Sequence, residues 1–240
     1  LGRRRAVPAA GCARGRGGAV GTGPGAKMPQ DFGHGEKACR ADWAGTLHDS
    51  IHAIPAEEWA ACAGDDNPFV SHEFLAALED SHSVSAKTGW LPRHVRLQAP
   101  DGTLAAVCPA YLKGHSWGEY VFDHGWARAF EAAGGRYYPK LQVAIPFTPA
   151  TGPRLLARPG APPETRAVLA DALRQICADT GLSSAHVTFC PSEESNLLAE
   201  QGWLPRLGLQ YHWENQGYAC LLYPSPSPRD PTRSRMPSSA

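Results

Sequence analysis

Acidic side chains are missing from the first 27 residues of this chain, methionine occurs only twice, and none of the seven cysteines stands in a C-x-x-C pair. Irregular cysteine spacing excludes a zinc ribbon and a disulfide framework. Apolar neighbours, such as Val107 beside Cys108 and Ile176 beside Cys177, mark ordinary buried thiols in a reducing compartment instead. No apolar run reaches the roughly 20 residues needed to cross a bilayer, so no membrane span is expected and a soluble, cytoplasmic protein is. A secretory signal is not expected either, because AVPAAGCA (Ala6 to Ala13) behind three arginines is too short for an apolar signal core.

The zero formal charge of the whole chain conceals an asymmetry. Residues 1–30 and 220–240 hold nine of the 23 Lys and Arg but one of the 23 Asp and Glu, so residues 31–219 carry 14 positive and 22 negative side chains, a net of −8. An acidic body does not grip a polyanionic backbone, because that affinity comes from neutralising phosphates; direct nucleic-acid binding by this part is not expected. Residues 1–27, built of Gly, Ala, Arg and Pro, read as a segment ahead of a start at Met28 or as disordered chain. GTGPGAKM (Gly21 to Met28) lacks the Gly-Lys-Ser/Thr ending of a phosphate-cradling loop, and RGRGGA (Arg14 to Ala19) fits an acyl-CoA pyrophosphate pattern by letter only. At the other end, CLLYPSPSPRD (Cys220 to Asp230) and SRMPSSA (Ser234 to Ala240) resemble a translated sequencing adaptor, so residues 220–240 read as an artefact tail. A genuine Ser/Pro-rich disordered tail is the alternative.

Residues 28–219 are long enough to bury one real core. NPFVSHEFLAAL (Asn67 to Leu78) predicts a short helix, with Ser71 capping orphan amides and Phe74, Leu75 and Leu78 recurring on one face. HVRLQAPDGTLAAVCPAYLK (His94 to Lys113) alternates His94, Arg96 and Gln98 against Val95 and Leu97, then turns at Asp101-Gly102 as a hairpin does. The remainder predicts strand, helix, strand, helix, strand. Pro163 and Glu164 open a helix whose Val168, Leu169, Ala172, Leu173 and Ile176 make one apolar stripe, with Gly181 at its C-terminal cap. SAHVTF (Ser184 to Phe189) is the next strand. Ser192 is predicted to cap a helix carrying Glu193 and Glu194 in its first turn, and Gly202-Trp203 ends it before LGLQYHW. The fold class is α/β of the α+β kind, a mixed, mainly antiparallel sheet flanked by helices.

In KLQVAIPFTPATGPRLL (Lys140 to Leu156), period-two alternation sends Leu141, Val143 and Ile145 to one face and Lys140 and Gln142 to the other. Pro146 and Pro149 stop the strand, and the turn beyond carries Thr148, Thr151 and Arg154, with Tyr137 and Tyr138 leading in. These side chains are candidates for holding a carboxylate, a phosphate or a peptide acceptor; a solvated strand face beside a proline-fixed hairpin is the competing reading. Two histidines have the residue type of a general base. His124 lies in an Asp-His-Gly turn, and His212 lies in YHWEN, where alternation puts it on one face with Glu214. Either is equally suited to a structural bond with backbone. GHSWG (Gly114 to Gly118) is a literal G-x-S-x-G that would make Ser116 a hydrolase nucleophile. The aromatic, β-branched GEYVFDHGW after it does not open the helix a nucleophile elbow requires, so a loop is expected there. HDSIH (His48 to His52) spaces two histidines as zinc ligands are spaced, but without a Glu beside the first and with Pro55 close behind, no metal site is expected.

Three segments taken together resemble a known family. YVFDHGWARAFEAAGGRYYPKLQVAIPFTPATGPRLL (Tyr120 to Leu156), NPFVSHEFLAAL and HWENQGY (His212 to Tyr218) resemble the FemAB-like predicted N-acyltransferases, a branch of the GNAT superfamily linked to peptidoglycan biosynthesis. The resemblance runs from His48 to Tyr218 and covers the first of that family's two lobes. It implies a GNAT-like fold and transfer of an acyl or aminoacyl group to a small-molecule or peptide amino acceptor of cell-wall precursor metabolism. Since the family pattern includes HWEN, it implies His212, Glu214 and Asn215 as site-lining residues. The acyl donor it implies is an acyl-CoA or an aminoacyl-tRNA, with no cofactor bound by this half and a missing C-terminal lobe completing the cleft. The competing function is a recognition lobe that binds a peptidoglycan-type ligand without chemistry, and a serine hydrolase using Ser116 ranks third.

Overall fold

The computed structural model describes residues 4–14, 37–40 and 42–211, together with Gly217. The chain divides into two compact units, residues 7–208 and a second formed by residues 1–6 and 209–240; the site described below lies within the first. His212, Glu214 and Asn215 fall outside the described residues.

Two sheets carry the fold. One runs through β2 (Lys37–Arg40), β3 (Trp43–His48), β5 (His94–Gln98), β6 (Leu104–Cys108) and β9 (Leu156–Ala157), each antiparallel to its neighbour. The other is ordered β11 (Leu204–Tyr211), β1 (Arg4–Arg14), β10 (Ser184–Val187), β8 (Lys140–Val143), β7 (Ala110–Lys113) and β4 (Leu91–Pro92). Its one described parallel pair is β10 with β8. The mixed α+β class with mainly antiparallel sheets is thus the one the sequence predicts, split over two sheets. The predicted hairpin forms between β5 and β6, and Gly102 takes the left-handed φ of 80° that its turn needs. The apolar run does not stay in that sheet: after Cys108 and Pro109 it crosses into the second as β7. A proline has no N–H for the ladder, which is why the handover falls there.

Helix α1 (Ala56–Ala63) follows Pro55 and has Glu57 and Glu58 in its first turn, where acids favour the dipole. Helix α2 (His72–Asp80) begins as predicted, with the Ser71 hydroxyl accepting from the Phe74 amide at 3.2 Å. Helix α3 (His124–Ala132) occupies the stretch read as a turn, because WARAFEA is rich in helix formers that outweigh Gly125. Helix α4 (Thr165–Thr180) carries its apolar stripe into the core and ends at Gly181, φ 64°. Helix α5 (Ser192–Glu200) departs from expectation at its start. Pro191 holds the cap position and Ser192 is the first helical residue, so the Ser192 hydroxyl caps nothing.

One core packs α4 between the sheets, around Val95, Leu97, Leu141, Val143, Val168, Leu173 and Val187. A second gathers Ile51, Trp59, Val70, Leu75, Val107 and Ile145. In it the Trp59 indole donates to the Val70 carbonyl at 2.7 Å. Cys62, Cys108, Cys177 and Cys190 are buried, as their apolar neighbours suggested. Two distant segments touch at one point: a Cβ on Gly152 would lie 2.2 Å from the Asn67 side-chain nitrogen, so a side chain at residue 152 of the PATGPR loop would displace the Asn67 amide.

Candidate functional site

The polar face of the second sheet is buried. Lys140 and Gln142 of β8 stand opposite Lys113 and Tyr111 of β7, and Gln142 is in register with His186 of β10. The period-two pattern assigned Lys140 and Gln142 to this face correctly, but the competing expectation of a solvated face does not hold: both are fully buried. The loop between β7 and α3 supplies the groups that meet them, Ser116, Glu119 and Asp123, all likewise buried.

Lys140 is the hub. Its ammonium donates to Glu119 Oε2 at 2.7 Å, to Ser116 Oγ at 2.9 Å and to Asp123 Oδ2 at 3.0 Å, one acceptor for each of its three protons. The Tyr137 hydroxyl donates to the same Asp123 oxygen at 2.7 Å, and the Tyr138 hydroxyl shares a 2.8 Å hydrogen bond with Ser116. Both tyrosine rings flank the ammonium, with centroids at 5.4 and 5.7 Å. Lys113 sits at the far side, its ammonium 3.8 Å from the Trp90 ring centroid and donating to the Trp117 carbonyl at 3.0 Å. Among the described residues, Glu119 Oε1, Asp123 Oδ1 and Gln142 Oε1 have no hydrogen-bond partner.

Burying two cations beside two anions carries a desolvation cost of several kcal/mol per ion, only partly returned by their attraction. That cost distributes unevenly over the groups. Burial pushes Asp123 upward, but the Lys140 charge and the bonds from Ser116, Tyr137 and Lys140 prevail and hold its carboxyl well below the usual range. For Glu119 burial prevails and raises the carboxyl despite Lys140. Burial lowers Lys113 to about 7, and the positive charge of Lys140 adds to the effect against the pull of Glu119. Burial, reinforced by Lys140, lowers His186 to about 3, so its imidazole is neutral at physiological pH.

Beside this network opens a cleft of about 210 Å³. Trp126 and Phe130 of α3 and Leu204 of β11 form its apolar walls; Tyr137, Ser183, Ser184 and His186 supply its polar lining, with Arg136 and Arg206 completing it. Ser184 Oγ and His186 Nε2 are 2.8 Å apart, the Tyr137 and His186 rings meet edge to face at 5.9 Å, and the Ser183 hydroxyl donates to the Tyr137 and Pro139 carbonyls. Tyr137 belongs both to the cleft and to the hub, and is the physical link between them.

Of the residues singled out in the sequence, the structure brings together Tyr137, Tyr138, Lys140 and Ser116, while Gln142 shares the strand face of Lys140 and donates to Thr188 Oγ1 at 3.1 Å. It places the rest elsewhere. His124 is exposed at the start of α3, its ring 5.4 Å from that of Trp117. Thr148 bonds back to the Pro146 carbonyl at 3.1 Å, and Thr151 is exposed. Arg154 is turned inward, where its guanidinium donates to the carbonyls of Ala150, Gly152, Pro153 and Thr188. Glu194 accepts the backbone N–H groups of Arg154 and Leu155 behind it. Ser116 stands in a loop, as the failed elbow pattern implied, with its hydroxyl enclosed by Lys140 and Tyr138. His48 and His52 take separate partners, Thr46 at 3.0 Å and Asp80 at 2.8 Å.

Sequence reasoning missed Glu119, Asp123, Lys113, His186, Arg136, Trp126 and Arg206. A signal existed for His186. SAHVTF alternates Ser184, His186 and Thr188 onto one face just as KLQV does with Lys140 and Gln142, and two polar strand faces in one short domain invite pairing.

Among the described residues, no helix is long and apolar enough to cross a membrane. No curated protein and no solved structure matches the chain. A family model described as FemAB-like, peptidoglycan biosynthesis/recognition, matches residues 50–221. That span contains the hub, the cleft and the Asn67–Gly152 contact, and through it this chain belongs to the FemAB-like family of peptidoglycan biosynthesis and recognition.

Proposed function

We propose that the protein transfers an acyl or aminoacyl group to an amino acceptor of peptidoglycan precursor metabolism, and that the acceptor binds in the cleft over Tyr137 and His186. The observation that carries this reading is the joining of an aromatic cleft to a fully buried lysine–carboxylate network through one side chain, Tyr137. Networks that costly are concentrated where a protein must hold groups in fixed orientation and charge state. In the transfer, the acceptor nitrogen attacks the acyl carbonyl carbon, the carbon–nitrogen bond forms, and the bond to the donor's sulfur or oxygen breaks. Because burial holds His186 near 3, imidazole is a hydrogen-bonding partner for the amine rather than a resting place for its proton. The proton leaves with the departing sulfur or oxygen. Asp123, kept ionised by Lys140, accepts from the Tyr137 hydroxyl and so fixes the side chain that lines the cleft. Activated donors such as acyl-CoA or aminoacyl-tRNA belong to the cytoplasm, which is where this reading puts the reaction. A second lobe or partner chain supplies the basic cradle that an acidic body lacks.

Recognition without chemistry is the second reading, favoured by one observation: all three protons of Lys140 are engaged within the protein, so its amine is held as an ammonium with no lone pair to act as a nucleophile. The same commitment argues against Ser116 as a hydrolase nucleophile. Incubating the full chain with labelled acyl-CoA or aminoacyl-tRNA and a muramyl peptide amine separates the two. Amide product by mass spectrometry, lost in Tyr137→Phe, supports transfer; saturable binding of the peptide with no amide product supports recognition.

A further inference from the structure

The lining of the cleft reverses the charge of the protein around it. Residues 31–219 carry a net of −8, yet among the described residues the charged members of the lining, Arg136 and Arg206, are both cationic and no carboxylate belongs to it. Among the described residues neither guanidinium has a carboxylate partner. Arg136 donates to the Gly181 carbonyl at 2.6 Å, which leaves other N–H groups of its fork uncommitted. Arg206 stacks 5.0 Å from the Trp126 ring centroid, a contact that orients the planar guanidinium without using its hydrogen bonds. Its charge reaches into the cleft far enough to act on both Tyr137 and His186. The same lining holds three apolar side chains, Trp126, Phe130 and Leu204, of which Trp126 and Leu204 are 66% and 54% exposed.

We infer that the cleft binds a small acylated anion, with a carboxylate or phosphate head held by Arg136 and Arg206 and an apolar acyl or aryl body against Trp126, Phe130 and Leu204. Paired guanidinium donors suit planar, two-oxygen anions, and the aromatic walls suit a flat or branched apolar group. The hydroxyl oxygens of Tyr137 and Ser184 retain lone pairs for an amide N–H of the ligand. This inference rests on reading the cleft as the substrate site, and it holds whether or not transfer follows.

Calorimetric titration of the full chain with N-acetylphenylalanine, its uncharged amide and phenyl phosphate tests it. The acid is expected to bind about tenfold or more tightly than the amide, the gain of charge-assisted hydrogen bonding. Arg136→Gln and Arg206→Gln should each remove most of that preference, Arg206→Lys should retain part of it, and Trp126→Ala should weaken acid and amide alike. Tighter binding of the phosphate than of the carboxylate assigns the head as phosphate, and the reverse assigns it as carboxylate. Equal binding of acid and amide, a preference that survives both Arg→Gln changes, or no binding of either up to about 10 mM overturns the inference. Amide product in the transfer assay without any anion preference leaves the proposed function standing alone; anion preference without product does the opposite.

Discussion

Lys140 and Arg154 are both cations taken almost completely out of water, at 0% and 1% exposure, and both looked like ligand-binding side chains in the sequence. Their surroundings differ in kind. Arg154 meets neutral carbonyls from one loop and from Thr188 just past β10, so it pins residues 150–153 in place, while Glu194 closes the arrangement through backbone amides. Lys140 meets two carboxylates, a hydroxyl and two aromatic rings, one of which lines a cleft. A buried charge surrounded by carbonyls holds chain; one surrounded by titrating groups beside a cleft sets protonation. Burial alone does not separate the two roles.

Removing the hub cation is expected to have the largest effect. Lys140→Met leaves Glu119 and Asp123 buried without their partner, at a cost of about 3–5 kcal/mol, read as a shift in the urea midpoint. Adding Glu119→Gln and Asp123→Asn should return much of that stability without returning ligand binding. If binding returns with stability, Lys140 is a pin like Arg154 and the distinction collapses. Arg154→Leu comes next, at about 2–4 kcal/mol for carbonyls left unpaired, with the affinity of the cleft for N-acetylphenylalanine unchanged in the folded fraction.

The pH dependence sharpens the contrast, because only the hub contains a lysine lowered into the neutral range. Lys113 falls from an ordinary 10.5 to about 7 in the folded protein. Between those values the unfolded chain binds the extra proton, so stability should climb as pH rises from 7 towards 10.5. Thermal melts of Lys113→Met should lose that climb. Asp123 works at the other end with the opposite sign. Its depressed folded value gives stability that is present above the ordinary carboxylate range and is lost as pH falls through it. The smallest effect is expected at Glu194→Gln, about 1 kcal/mol, since an amide oxygen still accepts from the Arg154 and Leu155 N–H groups; a loss as large as that of Lys140→Met would place ionic character in the pin as well.

Much of the fold was legible because its signals are local. The Ser71 cap, the Asp101-Gly102 turn, the α4 stripe and the Gly181 terminus each depend on residues within a few positions of one another. Period two also found the face of Lys140 and Gln142. It could not show that the face is covered, because the cover is α3 and the loop before it, and their Gly125, aromatic and β-branched residues disguise a helix. Helix α1 was missed for a related reason: AEEWAACA is too short to show a period, and its packing on Val70 through Trp59 is a tertiary fact. Arg154 illustrates the limit from the other direction. A turn arginine after two prolines reads as a solvent-facing donor, and only the fold reveals that the carbonyls it serves curl around it.

The fit of Asn67 against Gly152 also has a meaning for descent. Two positions 85 apart in the chain share one volume, so a change at one bears on the other: a lineage that gains a side chain at 152 must turn the residue 67 side chain aside or shorten it. Relatives should therefore keep glycine opposite asparagine or exchange both together, and the NPF and PATGPR segments, though far apart in sequence, should be passed on as a single unit.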